Sequence, residues 1–269
     1  MDYKSKLFNL RSILEKMEKV IIAYSGGVDS SLVLAVALDV LGKENVLSVV
    51  VDSDLLIDDE YSEAISNSES IGANTKGIYL DELSVPEIRN NEPSSWYYSK
   101  RLLYETLDEL KVKHSFFYVV DGMIMDDTFD FRPGLKARDD FHVRSILQEA
   151  DFYKTDVRLA AKEYGIPTWN KVPSCSIISR FEYNDKLTKG RIERVKSAEQ
   201  YLKQLGFSVV RVRDHNTVAR IEIKKDEFDY FFELSEKIED KLLSIGYSFV
   251  ALDIKGYSYG KMNRLLSNE

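Results

Sequence analysis

Residues 24–32 read Y-S-G-G-V-D-S-S-L, with an apolar run before them and an apolar helical stretch after. A strand that ends in Ser-Gly-Gly and feeds straight into a helix presents several unpaired backbone N–H groups, and glycines let an anion's oxygens come close. The expected occupant is a phosphate. Two commoner nucleotide loops are excluded, because no lysine follows the glycines as G-x-x-x-x-G-K-[ST] requires, and the third glycine of G-x-G-x-x-G is absent. The plainer alternative is a tight Gly-Gly turn ahead of a Ser-capped helix. The strand-to-helix setting favours the phosphate site.

A second segment rich in chemistry is N-K-V-P-S-C-S-I-I-S-R-F at 170–181, which holds the chain's one cysteine, Cys175. A lone cysteine is most often a small buried hydrophobe. Here Ser174, Ser176, Ser179 and Arg180 are poor wall material for a dry pocket, and a nearby guanidinium lowers a thiol pKa, the condition for a nucleophilic cysteine. Arg211 and Arg213, in V-V-R-V-R-D, share one face of a strand while Val210 and Val212 share the other. Two guanidiniums side by side suit a phosphate or carboxylates; the alternative is the solvated face of an edge strand.

The elements that must position these groups are legible from periodicity. Apolar runs at 20–24, 46–51, 77–80 and 116–120 alternate with helical patterns at 32–41, 58–71, 97–110 and 156–164. That alternation predicts an α/β fold with a parallel sheet covered on both faces. Its ligand belongs outside the carboxyl ends of the strands, where Ser25, Asp52, Ser53 and Asp121 fall. Asp52 and Ser53 either meet the adenine or ribose or only cap the following helix. Beyond Pro173 the order changes to a helix at 188–205, a hairpin of 208–214 and 218–223 around His215-Asn216, a charged helix at 226–243 and a strand at 248–254. This predicts a second, smaller α+β domain, with the first at 1–170 and the second at 171–269.

At 269 residues, 44% hydrophobic and 30% charged, the chain has an ordinary globular balance and enough length to bury a core without staples. Its 45 acidic and 37 basic residues give a net charge of −8, which handicaps it as a binder of nucleic acid. The first 19 residues mix charges with apolar residues at helical spacing and do not read as a signal peptide, and no run approaches a membrane span. One thiol forms no intrachain disulfide and holds no iron–sulfur cluster by itself. A cytoplasmic location is expected.

The S-G-G-x-D-S core resembles the PP-loop of the N-type ATP pyrophosphatases, the superfamily of GMP synthetase, NAD synthetase and the tRNA thiolation enzymes, which cleave ATP to AMP and pyrophosphate. Together with D-G-M-I at 121–124, F-R-P-G-L-K-A-R at 131–138, E-A-D-F-Y-K-T-D-V-R at 149–158 and the cysteine segment, the chain resembles the LarE family of ATP-dependent sacrificial sulfur transferases from near residue 16 to residue 263. The resemblance implies a PP-loop ATP pyrophosphatase domain using ATP and Mg²⁺. Ser25, Gly26, Gly27, Ser30 and Ser31 would hold pyrophosphate, Asp29 would help place Mg²⁺, and Ala23, Asp52, Ser53 and Asp121 would line the nucleotide site. It further implies adenylation of a pyridinium biscarboxylic acid mononucleotide, attack by Cys175, and release of a thiocarboxylic acid that leaves dehydroalanine. By the same resemblance the product would feed assembly of the nickel-pincer nucleotide cofactor of lactate racemase.

By the same resemblance Arg180, Arg211 and Arg213 would bind phosphate or AMP, Ser179 would belong to the cysteine's surroundings, and Trp96 would belong to the substrate cleft, with a place in the core as the alternative. Glu199, Glu222 and Asp229 are candidates for a further divalent metal near Cys175. Partners implied are the small nucleotide substrate, further copies of the chain as a homo-oligomer, and the proteins of the nickel-pincer pathway, with neither nucleic acid nor membrane. Cluster-holding relatives carry several cysteines, so a single one resembles the self-consuming type. The family has arginine where this chain has Ser258 and Lys261; lysine keeps the charge without the bidentate fork, and serine keeps neither. The rival readings are a tRNA thiolase, an amide-forming synthetase using ammonia, and a nucleotide sensor on the same fold.

Overall fold

The computed structural model describes residues 2–57, 59–129, 134–171 and 176–258. The chain divides into two units, Met1–Val85 with Ser94–Ser174, and Pro86–Pro93 with Cys175–Glu269.

The first unit begins with helix α1 (Tyr3–Glu15), strand β1 (Val20–Tyr24) and helix α2 (Val28–Leu41), followed by β2 (Val46–Asp52), α3 (Glu60–Ser70) and β3 (Asn74–Tyr79). After α4 (Pro86–Arg89), which lies with the other unit, come α5 (Ser95–Lys113), β4 (Tyr118–Val120), α6 (Gly134–Asp140), α7 (Ile146–Glu149) and α8 (Lys154–Glu163). The sheet order is β3-β2-β1-β4 and every pairing is parallel. Strand side chains alternate between faces, so Val20, Ile22 and Tyr24 of β1 join one core with α1, α2 and α8. Ile21 joins the other, with Tyr104 and Leu107 of α5 and Ala137 of α6. Burial on both faces explains why β1 is apolar throughout.

β1 lies between β2 and β4, so the chain leaving it turns one way and the chain entering β4 arrives on the other side. Such a switch point opens a crevice at the strands' carboxyl ends. Residues 25–31 sit there.

The second unit holds α4, α9 (Lys189–Gln204), β5 (Arg211–His215), β6 (Val218–Glu222), α10 (Phe228–Glu233), α11 (Ser235–Ile245) and β7 (Phe249–Leu252). β5 and β6 form the expected antiparallel hairpin and β7 adds parallel to β6. Thr188 caps α9 by accepting the Arg191 N–H at 3.3 Å, and Ile192, Val195, Ala198 and Leu202 form its buried stripe.

Two expectations are corrected. The single helix expected at 226–243 is two helices, because Leu234 (φ −104°, ψ 7°) leaves helical geometry between them. Residues 86–93, placed by sequence order in the first domain, lie with the second unit, where the Leu187 N–H donates to Arg89 O at 2.7 Å and the Asn184 N–H to Asn91 O at 2.9 Å. Among the described residues no helix is long and apolar enough to cross a membrane.

Candidate active site

The loop between β1 and α2 is shaped by two glycines. Gly26 has φ +72°, and a Cβ there would lie 2.9 Å from Ala64 Cβ on α3, so both backbone conformation and space demand glycine. Gly122, just past β4, lies so close that a Cβ would come 2.8 Å from the Ser30 nitrogen. The loop is therefore backed by α3 on one side and by the D-G-M-I segment on the other.

Gly27 is the N-cap of α2 and offers no side-chain cap, which leaves the opening amides of the helix directed at the crevice. The Ser25 and Ser30 hydroxyls are 3.1 Å apart at the loop, and the Ser30 hydroxyl also donates to Gly27 O at 3.2 Å. Asp29 receives the Lys154 ammonium on both oxygens, at 2.8 and 2.6 Å. Burial pushes its carboxyl above the usual range, Lys154 opposes that shift, and the neighbouring charge of Asp127 adds to it. The Lys154 N–H in turn donates to Asp126 Oδ2 at 2.8 Å.

These features fit ATP with Mg²⁺: amides and hydroxyls for phosphate, close backbone approach at Gly26, and a hard carboxylate oxygen donor at Asp29. Ala23 is a partly buried residue of β1, and Asp52 ends β2 at the same edge. Trp96 stands in the first turn of α5, partly buried.

Three residues assigned to the nucleotide are engaged elsewhere. Ser31 is fully buried, sharing a 2.9 Å hydrogen bond with the Tyr24 hydroxyl and accepting from Thr168 at 3.3 Å, because the second residue of the Ser-Ser pair turns to the inner face of α2. The Ser53 hydroxyl donates to Glu82, which also accepts from Ser99. Asp121 accepts from Tyr104 at 2.8 Å, from Ser145 at 2.7 Å and from the Met123 N–H at 3.1 Å, which makes it a buried anchor of the strand end. Burial and that carboxylate together push the Tyr104 phenol upward.

In the second unit the charges are paired more fully than their spacing suggests. Arg180 is buried and meets Glu199 at two points, 2.8 and 3.1 Å, while its other nitrogen donates to the Ser179 hydroxyl at 2.7 Å. Arg213 and Arg220 both reach Glu222 at 2.8 Å, Arg213 also donates to Ser179 O, and Arg220 to Asp253. Arg211 instead donates to Val210 O at 2.7 Å and lies over the Tyr257 ring, 5.4 Å from its centre.

The expected second metal is not supported among the described residues. Glu199 and Glu222 are neutralised by guanidinium groups, Asp229 is exposed, and no group of three or more His, Cys, Asp or Glu is placed to hold an ion. Cys175, part of the run at 131–138 and Lys261 lie outside the described residues; Ser258 is partly buried. Sequence reasoning missed Lys154, Asp126, Asp127 and Glu82 as partners in this region. For Lys154 the available signal was its place at the start of a helix in a motif already singled out.

An NAD synthase family model matches residues 6–90, which include the loop. The chain is 47% identical over 263 residues to the pyridinium-3,5-bisthiocarboxylic acid mononucleotide synthase of Lactiplantibacillus plantarum, covering 98% of this chain and 95% of that protein. It is 36% identical over 267 residues to an uncharacterized protein of Synechocystis sp., covering 98% and 99%. An uncharacterized protein of Methanocaldococcus jannaschii is 30% identical over 260 residues, covering 96% and 99%.

Proposed function

The chain belongs to the LarE family of PP-loop ATP pyrophosphatases, and from that membership we propose that it is a sacrificial sulfur insertase which converts pyridinium-3,5-biscarboxylic acid mononucleotide to its thiocarboxylate. The observation that carries the ATP half of this reading is the convergence of the α2 amides, the Ser25–Ser30 hydroxyl pair, Gly26 and Asp29 on one crevice. The near full-length likeness to a synthase named for the bisthiocarboxylate supports the sulfur half.

In this reading Ser25, Gly26, Gly27 and Ser30 hold the phosphates, and Asp29 would hold Mg²⁺, whose charge would ease departure of pyrophosphate. The acceptor carboxylate attacks the α-phosphorus, so pyrophosphate leaves and an acyl adenylate forms. The Cys175 thiolate attacks the acyl carbon, AMP leaves, and a thioester results. A base removes the Cys175 Cα proton, the electron pair forms Cα=Cβ, and the Cβ–S bond breaks to release thiocarboxylate. The chain retains dehydroalanine. Arg211, with no carboxylate partner among its described contacts, is the guanidinium best suited to the acceptor's phosphate.

The chain works in a reducing cytoplasm as a homo-oligomer and passes its product to the enzymes that complete a nickel-pincer nucleotide. The test is product analysis with ATP and the acceptor. AMP and pyrophosphate, formed only when the acceptor is present, support the reading; ADP and phosphate contradict it.

A further inference from the structure

The F-R-P-G-L-K-A-R run has no part in the reaction as drawn, and its described residues, 134–138, open α6. From that helix the Arg138 guanidinium reaches two side chains further along, Gln148 Oε1 at 2.6 Å and the Ser145 hydroxyl at 3.4 Å. Each passes the contact on. The Ser145 hydroxyl donates to Asp121 at 2.7 Å, and the Gln148 amide nitrogen donates to Ile124 O at 2.9 Å. A guanidinium only donates, so it fixes the sense of both relays: the hydroxyl turns its proton to Asp121 and the amide turns its nitrogen to Ile124. The D-G-M-I run at 121–124 is thus held at its first and last residues.

Gly122 lies inside that grip. A Cβ on it would come 2.8 Å from the Ser30 nitrogen and 3.1 Å from the Ser30 Cα, so its backbone packs directly on the first turn of α2. The Ser31 N–H makes the first helix-internal bond of α2, to Gly27 O at 3.0 Å, and the amides of Val28, Asp29 and Ser30 precede it. Where the D-G-M-I run sits therefore decides where those amides sit. Arg138 also meets Asp139, but that carboxylate is 66% exposed and contributes little to the fold. The inward contacts are the ones with a consequence. Asp121 is 3% exposed and its described partners, Tyr104, Ser145 and the Met123 N–H, are neutral, so Arg138 is the cation standing one hydroxyl behind it.

Resting on the reading that ATP occupies the loop at 25–31, we propose that Arg138 is a positioning residue for that site. Acting through Ser145 and Gln148 from the far side of the D-G-M-I run, it sets where Gly122 bears on Ser30 and so holds the α2 amides in register with the outer phosphates. Arg138 itself does not touch the nucleotide.

The test is calorimetric binding to the full chain, comparing wild type with Arg138→Met, Arg138→Lys, Gln148→Leu and the Arg138→Met/Gln148→Leu double variant. The probes are the Mg²⁺ complex of α,β-methylene-ATP, which reaches the loop with its outer phosphates, and AMP, which lacks them. Arg138→Met should bind the analogue about tenfold or more weakly, as expected when a cradle is displaced, yet bind AMP within about threefold of wild type. Arg138→Lys keeps a donor without the fork and should recover part of the loss. Gln148→Leu should weaken the analogue selectively, and the double variant should be no weaker than Arg138→Met, because the two residues act in series. A merely structural residue would lower both affinities together. If Arg138→Met does not fold, Arg138→Lys and Gln148→Leu carry the comparison. Unchanged analogue affinity, equal losses for AMP and analogue, or additive losses in the double variant overturns the proposal. Failure of wild type to bind the analogue overturns the nucleotide reading itself.

Discussion

Arg180 and Glu199 form a two-point ion pair in which the side chains are 0% and 1% exposed, and Glu199 Oε1 also accepts the Val212 N–H at 2.9 Å. Adjacency in sequence aims Arg180 at Cys175; the structure aims it at α9. A guanidinium neutralised by its own carboxylate lowers a neighbouring thiol's pKa far less than an unpaired one. Its main work is to join residues 177–180 to α9 and β5.

Removing one partner should therefore act on stability first. Glu199→Gln or Arg180→Met should each cost about 3–5 kcal/mol, since either leaves a buried charge without its counterion. Urea unfolding measures this. A loss below about 1 kcal/mol would mean that the pair is solvated in solution.

Gly26→Ala should cost about 1–3 kcal/mol, because alanine at φ +72° is strained and its methyl would meet Ala64 Cβ. Adding Ala64→Gly should recover only the steric part, leaving the backbone strain. Thermal melts of the single and double variants separate the two, and full recovery would assign the whole cost to crowding.

Asp29 gives a pH-dependent prediction. Its folded pKa is raised, chiefly by burial, so its contribution favours the fold at low pH and is lost as pH rises through the folded value. At neutral pH the ionised carboxylate is then a cost. Asp29→Asn should be at least as stable as wild type at about pH 7, and its advantage should shrink near pH 4.5, while release of AMP is abolished. Unfolding at both pH values tests the sign; a variant less stable at neutral pH would contradict it.

Arg211 and Arg213 share a strand face but should part company on mutation. Arg213→Ala takes one guanidinium away from Glu222, which is fully buried, and removes the donor to Ser179 O, so stability should fall by about 1–3 kcal/mol. Arg211→Ala removes a guanidinium that, among the described residues, meets a carbonyl and a ring, so the fold should change little. Acceptor binding should weaken by about 1.5–3 kcal/mol. Unchanged transfer kinetics in Arg211→Ala would return it to a solvated face.

The inner strands β1 and β2 were legible in the sequence because they are largely buried and read as apolar runs, with β1 the clearest, whereas the edge strand β3, exposed or half-exposed along its length, was legible only in its last residues. The loop was legible because a phosphate site is made largely of backbone, and Ser-Gly-Gly ahead of a helix advertises it. What stayed hidden was partner choice. Nothing in the spacing says that Ser31 turns to Tyr24 while Ser30 stays at the loop, that Ser53 and Asp121 bond to Glu82 and Tyr104, or that Lys154 crosses to Asp29. Those contacts depend on how distant elements pack. The membership of residues 86–93 in the second unit has the same origin, since backbone hydrogen bonds to 184–187 carry no side-chain signature.

The central claim is that the sulfur comes from Cys175 and that each chain delivers it once. The direct measurement is the intact mass of the protein before and after turnover with ATP and acceptor, followed by peptide mapping. The account predicts that product stops at no more than one equivalent per chain, that the spent chain has lost the mass of one H₂S, and that the loss maps to the peptide containing Ser174-Cys175-Ser176. Cys175→Ser should still form the acyl adenylate and deliver no sulfur. A spent chain of unchanged mass, or repeated turnover without an external sulfur donor, would contradict it.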